Sequence, residues 1–312
     1  MRKETKMKKL MFAAAAIAAG VAMADVTSAN IVGYLKSNFG DNTLVRKGAS
    51  FATIGIKDAD GCDCVRLSDL KVTGYDPGTY VWGEAVITML ENDGRNTKCT
   101  DGETNLEYFW IDDGEDGLGG YPPGWYGPDF LPMTEEGGSI AGIADEITFA
   151  AGEGICFTIS SGSENWQLQS SGQVLNDPEP RTFGDNTLVL IANPLPRRVT
   201  LNELVIGGYD PGTYVWGEAV ITMLENDGRN TKCTDGETNL EYFWIDDGED
   251  GLGGYPPGWY GPDFLPMTEE GGSIAGDATK IGFEASEGFY FTITSGSENW
   301  FVKFPSLGLK AE

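Results

Sequence analysis

The sequence predicts an all-β protein, built as two tandem β-sandwich or barrel-like domains from an internal duplication behind an N-terminal signal peptide. Three observations predict it. Short runs of β-branched and aromatic residues alternate with turn residues along the chain. No window holds a sustained 3.6-residue apolar period, so no long amphipathic helix is expected. Gly74 to Gly142 recurs at Gly208 to Gly276 without one difference, a stretch of 69 residues at an offset of 134. A repeat of that length is domain-sized, well beyond solenoid repeats of about 20–50 residues.

The first element is an address. Arg2, Lys3, Lys6, Lys8 and Lys9 form a basic segment, Leu10 to Val21 is apolar and alanine-rich, and Ala22-Met23-Ala24 supplies the small residues of a cleavage site. Residues 1–24 therefore read as a secretory signal peptide. The apolar run is short of the roughly 20 residues that a spanning helix needs, and no later stretch reaches that length. The mature chain is expected to be exported, to the periplasm, the cell surface or the medium. Its 288 residues would carry 16 basic and 47 acidic side chains.

The organisation after the leader is expected to be residues 25–175 as the first copy, 176–182 as a linker and 183–312 as the second copy. Asn176-Asp177-Pro178-Glu179-Pro180-Arg181 holds two prolines and three charges, a composition that argues against regular structure. The likeness between copies continues outside the identical centre. Leu67-Ser68-Asp69-Leu70 matches Leu201-Asn202-Glu203-Leu204, and Phe39 to Val45 matches Phe183 to Val189 at an offset of 144. The first copy thus carries ten extra residues, near Ala52–Cys64.

Within each copy, Glu84 to Leu90 and Leu106 to Ile111 read as strands. Leu67 to Leu70 suits one short helical turn. Ile147 to Phe149 and Ile155 to Ile159 read as strands on either side of the turn Ala151-Gly152-Glu153-Gly154. Gly119 to Pro128 is too rich in glycine and proline for a strand interior and is expected to be a long loop.

Composition excludes several kinds of chemistry. The chain has no histidine, so Ser-His-Asp and Cys-His catalysis and ordinary His-built zinc sites are absent. A net charge of −27 argues against nucleic acid as a partner. There is no GxSxG, no P-loop and no GxGxxG following a strand. Glycoside hydrolysis would need one specific pair of carboxylates across a cleft, and nothing singles out a pair. The chain is expected not to be an enzyme. Cys62, Cys64, Cys99, Cys156 and Cys233 are odd in number, so export would leave one thiol over or pair it between chains.

Two groups of residues suit ligands. Asp112, Asp113, Glu115 and Asp116, repeated as Asp246, Asp247, Glu249 and Asp250, lie among glycines. Such loops suit calcium, which takes about 6–8 oxygen ligands, although the spacing is not that of an EF-hand. A solvated acidic loop is the plain alternative, and no other cofactor is expected. The aromatic residues Trp110, Tyr121, Trp125 and Tyr126, with Trp244, Tyr255, Trp259 and Tyr260 in the second copy, flank those loops. Rings beside carboxylates can stack on sugars. They can equally cap the core of a β-domain, which needs large apolar side chains somewhere. Buried rings would favour the structural role, and a planar exposed pair would favour sugar binding.

Asp25-Val26-Thr27-Ser28-Ala29-Asn30-Ile31-Val32-Gly33-Tyr34, with Leu67–Leu70, Tyr108 to Asp112 and Gly152–Phe157, resembles a group of exported proteins of Verrucomicrobia-type bacteria that begin with an SANIVGY strand. The resemblance implies an exported β-rich protein and brings no activity and no functional residues. The expected function is therefore a non-enzymatic exported protein, an envelope or extracellular structural and interaction module. Its expected partners are polysaccharide, other envelope proteins or further copies of itself. The alternative is a carbohydrate-binding protein that uses the aromatic loops, with calcium as an aid.

Overall fold

The computed structural model describes residues 32–38, 44–48, 50–52, 54–57, 63–73, 85–88, 107–111, 123–159, 167–182, 188–208, 219–222, 241–245, 256–293 and 300–309. The expected all-β class is what these residues show. They are mostly strand and contain no α-helix, only two single 3-10 turns at Leu67–Asp69 and Leu201–Glu203. Both turns fall where the sequence suggests a short helical element. No helix among the described residues is long and apolar enough to cross a membrane.

The first ten strands are β1 (Val32–Asn38), β2 (Leu44–Lys47), β3 (Cys64–Arg66), β4 (Lys71–Thr73), β5 (Ala85–Thr88), β6 (Glu107–Ile111), β7 (Gly124–Tyr126), β8 (Thr148–Ala150), β9 (Ile155–Ile159) and β10 (Gln167–Gln173). They form a five-stranded sheet in the order β2-β9-β5-β6-β7, a three-stranded sheet β1-β10-β4 and a two-stranded ladder β3-β8. The next ten are β11 (Arg181–Thr182), β12 (Leu188–Ala192), β13 (Val199–Thr200), β14 (Val205–Gly207), β15 (Ala219–Thr222), β16 (Glu241–Ile245), β17 (Gly258–Tyr260), β18 (Gly282–Phe283), β19 (Gly288–Ile293) and β20 (Phe301–Lys303). Their orders are β12-β19-β15-β16-β17, β11-β20-β14 and β13-β18. Strand for strand, the second set repeats the first. Every named pairing is antiparallel, for example Val86 with Phe109 and Val220 with Phe243.

The predicted strands sit where the residues place them, at β5, β6, β8 and β9. Three details differ from the sequence reading. Residues 124–126, expected inside a long loop, form β7. The pairing is at the sheet edge, where β7 needs bonds on one side only, and it sets Trp125 opposite Trp110. Arg181 and Thr182, expected in the linker, pair as β11 with Val302 and Phe301. Arginine and threonine are no obstacle once the proline at 180 has passed. The turn 151–154 also does not close a hairpin. β8 pairs with β3, whereas β9 lies between β2 and β5, so the chain crosses from one sheet to another there.

Each set of strands encloses its own apolar cluster. Val65, Leu67, Leu70, Tyr108, Ile111, Phe149, Phe157 and Leu168 belong to the first. Leu201, Leu204, Tyr242, Ile245, Phe283, Phe291, Trp300 and Val302 belong to the second. Tyr108 and Tyr242, at equivalent positions, are fully buried. Residues 32–308, which hold both sets, form one compact unit.

Candidate functional site

The aromatic residues singled out in the sequence do come together, and mostly inward. The ladder between β6 and β7 places Trp110 opposite Trp125 and Phe109 opposite Tyr126. Trp110 and Trp125 meet edge to face, with ring centroids 5.1 Å apart and planes at 72°. Trp244 and Trp259 repeat the arrangement at 5.3 Å and 67°. Trp125 and Tyr126 are buried, at 6% and 1% exposure, as are Trp259 and Tyr260 at 5% and 0%. They are members of the two cores. Trp110 and Trp244 are half-buried. Tyr121 and Tyr255 lie outside the described residues, as do Asp112, Asp113, Glu115, Asp116, Asp246, Asp247, Glu249 and Asp250.

The indole N–H of Trp125 donates to the carbonyl of Leu70 at 2.9 Å, which ties β7 to the end of the 3-10 turn. The equivalent indole N–H of Trp259 is buried and has no acceptor among the described residues. Tyr260 donates its hydroxyl to the carbonyl of Pro256 at 2.7 Å. These bonds hold the rings as structural members.

Beside Trp125, in the first copy, the surface opens into a groove of about 330 Å³. Trp110, Pro123, Pro132 and Ile143 line its sides, and the buried Trp125, Tyr126, Met133 and Ala144 close its base. Ser68, Lys71, Thr134, Glu135 and Asp145 supply the polar groups. A mostly apolar concavity with a few polar groups at the edge is the usual form of a small-molecule site. Lys71, Glu135 and Asp145 are all exposed. Among the described residues, no hydrogen bond or ion pair fixes any of the three side chains.

The groove draws on both parts of the repeat. Trp110, Pro123 to Tyr126 and Pro132 to Glu135 lie in the stretch that is identical in the two copies. Ser68, Lys71, Ile143 and Asp145 lie just outside it. The second copy has Asn202, Val205, Asp277 and Thr279 at those positions. Asp277 is turned into its own loop, where it accepts the Thr279 N–H at 2.9 Å and the Thr279 hydroxyl at 2.8 Å. Those hydrogen bonds, led by the backbone N–H, hold its carboxyl below the usual range. The two copies thus share their aromatic walls and differ in their polar edges. The sequence reading marked where the identity between the copies ends, at Gly142 and Gly276, but found neither this difference nor the groove.

Below the groove, the loop from Gly127 to Ala141 is tied by one carboxylate. Asp129 accepts the Ser139 hydroxyl at 2.7 Å, the Ile140 N–H at 2.8 Å and the Leu131 N–H at 3.4 Å. Burial works to raise its pKa, but these hydrogen bonds outweigh it and hold the carboxyl below the ordinary value. Asp263 makes the same three bonds in the second copy. Sequence reasoning missed this carboxylate, whose signal is only an Asp after Gly-Pro and before a left-handed Phe130 at φ 60°. Among the described residues no group of three or more Cys, Asp or Glu is placed to hold a metal ion.

Comparison of the chain with family models, curated proteins and solved structures finds no match.

Proposed function

We propose that this chain is a non-enzymatic exported protein, two tandem β-sandwich or barrel-like domains that serve as an envelope or extracellular interaction module. The observation that carries this reading is the burial of Trp125, Tyr126, Trp259 and Tyr260. These four side chains belong to the two cores, so they are not offered as flat platforms. The carboxylates at the groove support the same reading. A catalytic acid and base must be held in place by their neighbours, and Glu135 and Asp145 are exposed, with no hydrogen bond or ion pair to hold them among the described residues. Export rests on the basic, apolar and small-residue segments of residues 1–24.

A second reading, a carbohydrate-binding protein, is favoured by one observation. The half-buried Trp110 stands in the wall of the groove, with hydroxyl, ammonium and carboxylate groups at its edge. A ring face beside such groups can stack on one sugar and bond its hydroxyls. Under this reading Asp112, Asp113, Glu115 and Asp116, which follow directly after β6, would bring calcium to the same end of the strand.

One titration separates the readings. Intrinsic tryptophan fluorescence of the mature protein is followed against soluble glucans, xylans and mannans, with calcium and with chelator. The interaction-module reading expects no saturable change with any glycan. A saturable change that Trp110→Ala abolishes would replace it with the sugar-binding reading, and dependence on calcium would assign the ion to the acidic segment.

A further inference from the structure

The two copies touch each other through contacts that come in matched pairs. Lys47 and Ile191 are equivalent positions of β2 and β12, and Glu287 and Glu153 are equivalent positions ahead of β19 and β9. Lys47 forms an antiparallel bridge with Glu287, and Ile191 forms one with Glu153. One residue further on, the N–H of Gly48 donates to the carbonyl of Ser286 at 3.0 Å. Its counterpart, the N–H of Ala192, donates to the carbonyl of Gly152 at 2.9 Å. Cys156 and Tyr290 are equivalent to each other, and the thiol sulfur of one lies 3.9 Å from the hydroxyl of the other. Residue i meets j of the other copy, j meets i, and one position meets its own counterpart. That is the contact pattern of a two-fold, self-complementary interface.

We propose that the seam between the copies is an isologous dimer interface, and that the partner each face fits is a second copy of the same unit. The chain would then be a dimer whose subunits are joined through residues 176–180, ahead of β11. The proposal stands on the seam contacts and does not depend on what the groove binds.

The packing of the seam is close enough to be specific. A Cβ on Gly48 would sit 2.3 Å from the Ala192 Cβ and 2.7 Å from the Glu153 carbonyl oxygen. A Cβ on Gly154 would sit 2.4 Å from the Leu190 side chain, and the Gly154 N–H donates to the Leu190 carbonyl at 3.1 Å. Ser286 adopts the left-handed region at φ 67°, where its counterpart is Gly152 at φ 88°. Its hydroxyl donates across the seam to the Gly48 carbonyl at 2.6 Å. The contact also covers β2 and β12, which are the outer strands of the two five-stranded sheets and would otherwise present unpaired backbone.

The seam is symmetric in backbone but not in charge, and that gives the proposal a direction. Lys47 is buried at 7% exposure and interacts electrostatically with Glu287. Two first copies facing each other would set Lys47 against Glu153 twice. Two second copies would set Ile191 against Glu287 twice and leave both carboxylates without that cation. Each Lys–Glu juxtaposition across the seam adds an attraction, two in the pairing of first copies and none in the pairing of second copies. First copies should therefore pair with themselves, and second copies should not.

The test cuts the whole mature chain. A specific protease sequence is inserted at the exposed Glu179, the folded protein is cleaved, and its mass is measured by light scattering on a sizing column. The two pieces are expected to stay together at the mass of the uncut chain. Cut chains carrying different tags on the first piece are then mixed and captured through one tag. Recovery of the other tagged first piece is expected, at about tenfold or more above recovery of second piece by second piece. Lys47→Ala should abolish that advantage while the far-UV circular dichroism of the uncut chain is kept. Pieces that separate on cutting, or that stay together without like-with-like exchange, would overturn the proposal. An equal or greater recovery of second piece by second piece would overturn it as well. Should Lys47→Ala fail to fold, Lys47→Met in the same exchange measurement takes its place, with the same expectation.

Discussion

At the scale of single residues, the loop beneath the groove depends on Asp129 and on the absence of a side chain at Gly127. A Cβ on Gly127 would lie 2.9 Å from the Asp129 carboxylate and almost on the Ser139 hydroxyl. Asp129→Ala removes the acceptor of three hydrogen bonds and should lower stability by about 2 kcal/mol, read as a shift in the urea midpoint. The pH dependence has a definite sign. Its carboxyl is held below the ordinary 3.8, so the folded state binds this proton less readily than the unfolded state does. The stability it contributes is present above that value and is lost as pH falls through the lower folded value. Wild-type protein should therefore lose more stability than Asp129→Asn between pH 5 and the acid range, a comparison that urea titrations at stepped pH can make. An equal loss in both proteins would rule out this carboxylate as the cause.

At the scale of elements, β6 and β7 connect the core to the groove. Their register sets Trp110 edge to face against Trp125, and Trp125 in turn bonds to Leu70. Trp125→Phe keeps an aromatic ring in the core but strands the Leu70 carbonyl. It should cost about 1–3 kcal/mol, measured by chemical denaturation. Trp259→Phe, at a position whose N–H has no acceptor among the described residues, removes no such bond and should cost less. Equal losses would show that the Leu70 bond carries no weight and that ring volume alone matters. Trp110→Ala, on the groove wall, should change fluorescence and leave the strand signal in circular dichroism intact, since Trp110 is only half-buried.

At the scale of the whole molecule, the seam is expected to make the two copies unfold together. Gly48→Leu forces a side chain into the space between Ala192 and Glu153. It should split a single denaturation transition into two, because each copy has its own apolar cluster. A single transition at unchanged midpoint would show that the seam contributes nothing to cooperativity. The same contact sets a pH dependence opposite to that of Asp129. Burial raises the Glu287 carboxyl above the ordinary 4.5, with hydrogen bonding and Lys47 acting against it, and burial lowers the Lys47 ammonium. A raised carboxyl favours the folded state below 4.5, and that contribution is lost as pH rises through the folded value. Glu287→Gln should flatten the fall in stability from pH 4.5 upward, measured by denaturant titration. The excess of 48 acidic over 21 basic residues adds repulsion of the same sign, so the difference between variant and wild type is the quantity to read.

The sequence by itself determined the β class, the two copies, the lack of histidine chemistry and the strands β5, β6, β8 and β9 with their repeats. Those properties are local or compositional. Glu107–Ile111 is a strand because its residues are aromatic and β-branched, whatever lies next to it. Only the tertiary structure decided which groups meet. Pairing turned residues 124–126 from an expected loop into β7, since an edge strand needs few bonds and tolerates the glycine and proline around it. Packing decided that Trp125 and Tyr126 face inward and that Trp110 does so only in part, a choice that composition leaves open because the same rings suit a core or a ligand. The groove edge joins residues as far apart as Ser68 and Asp145, and the seam joins Lys47 to Glu287, contacts between distant positions that no local pattern in the chain encodes.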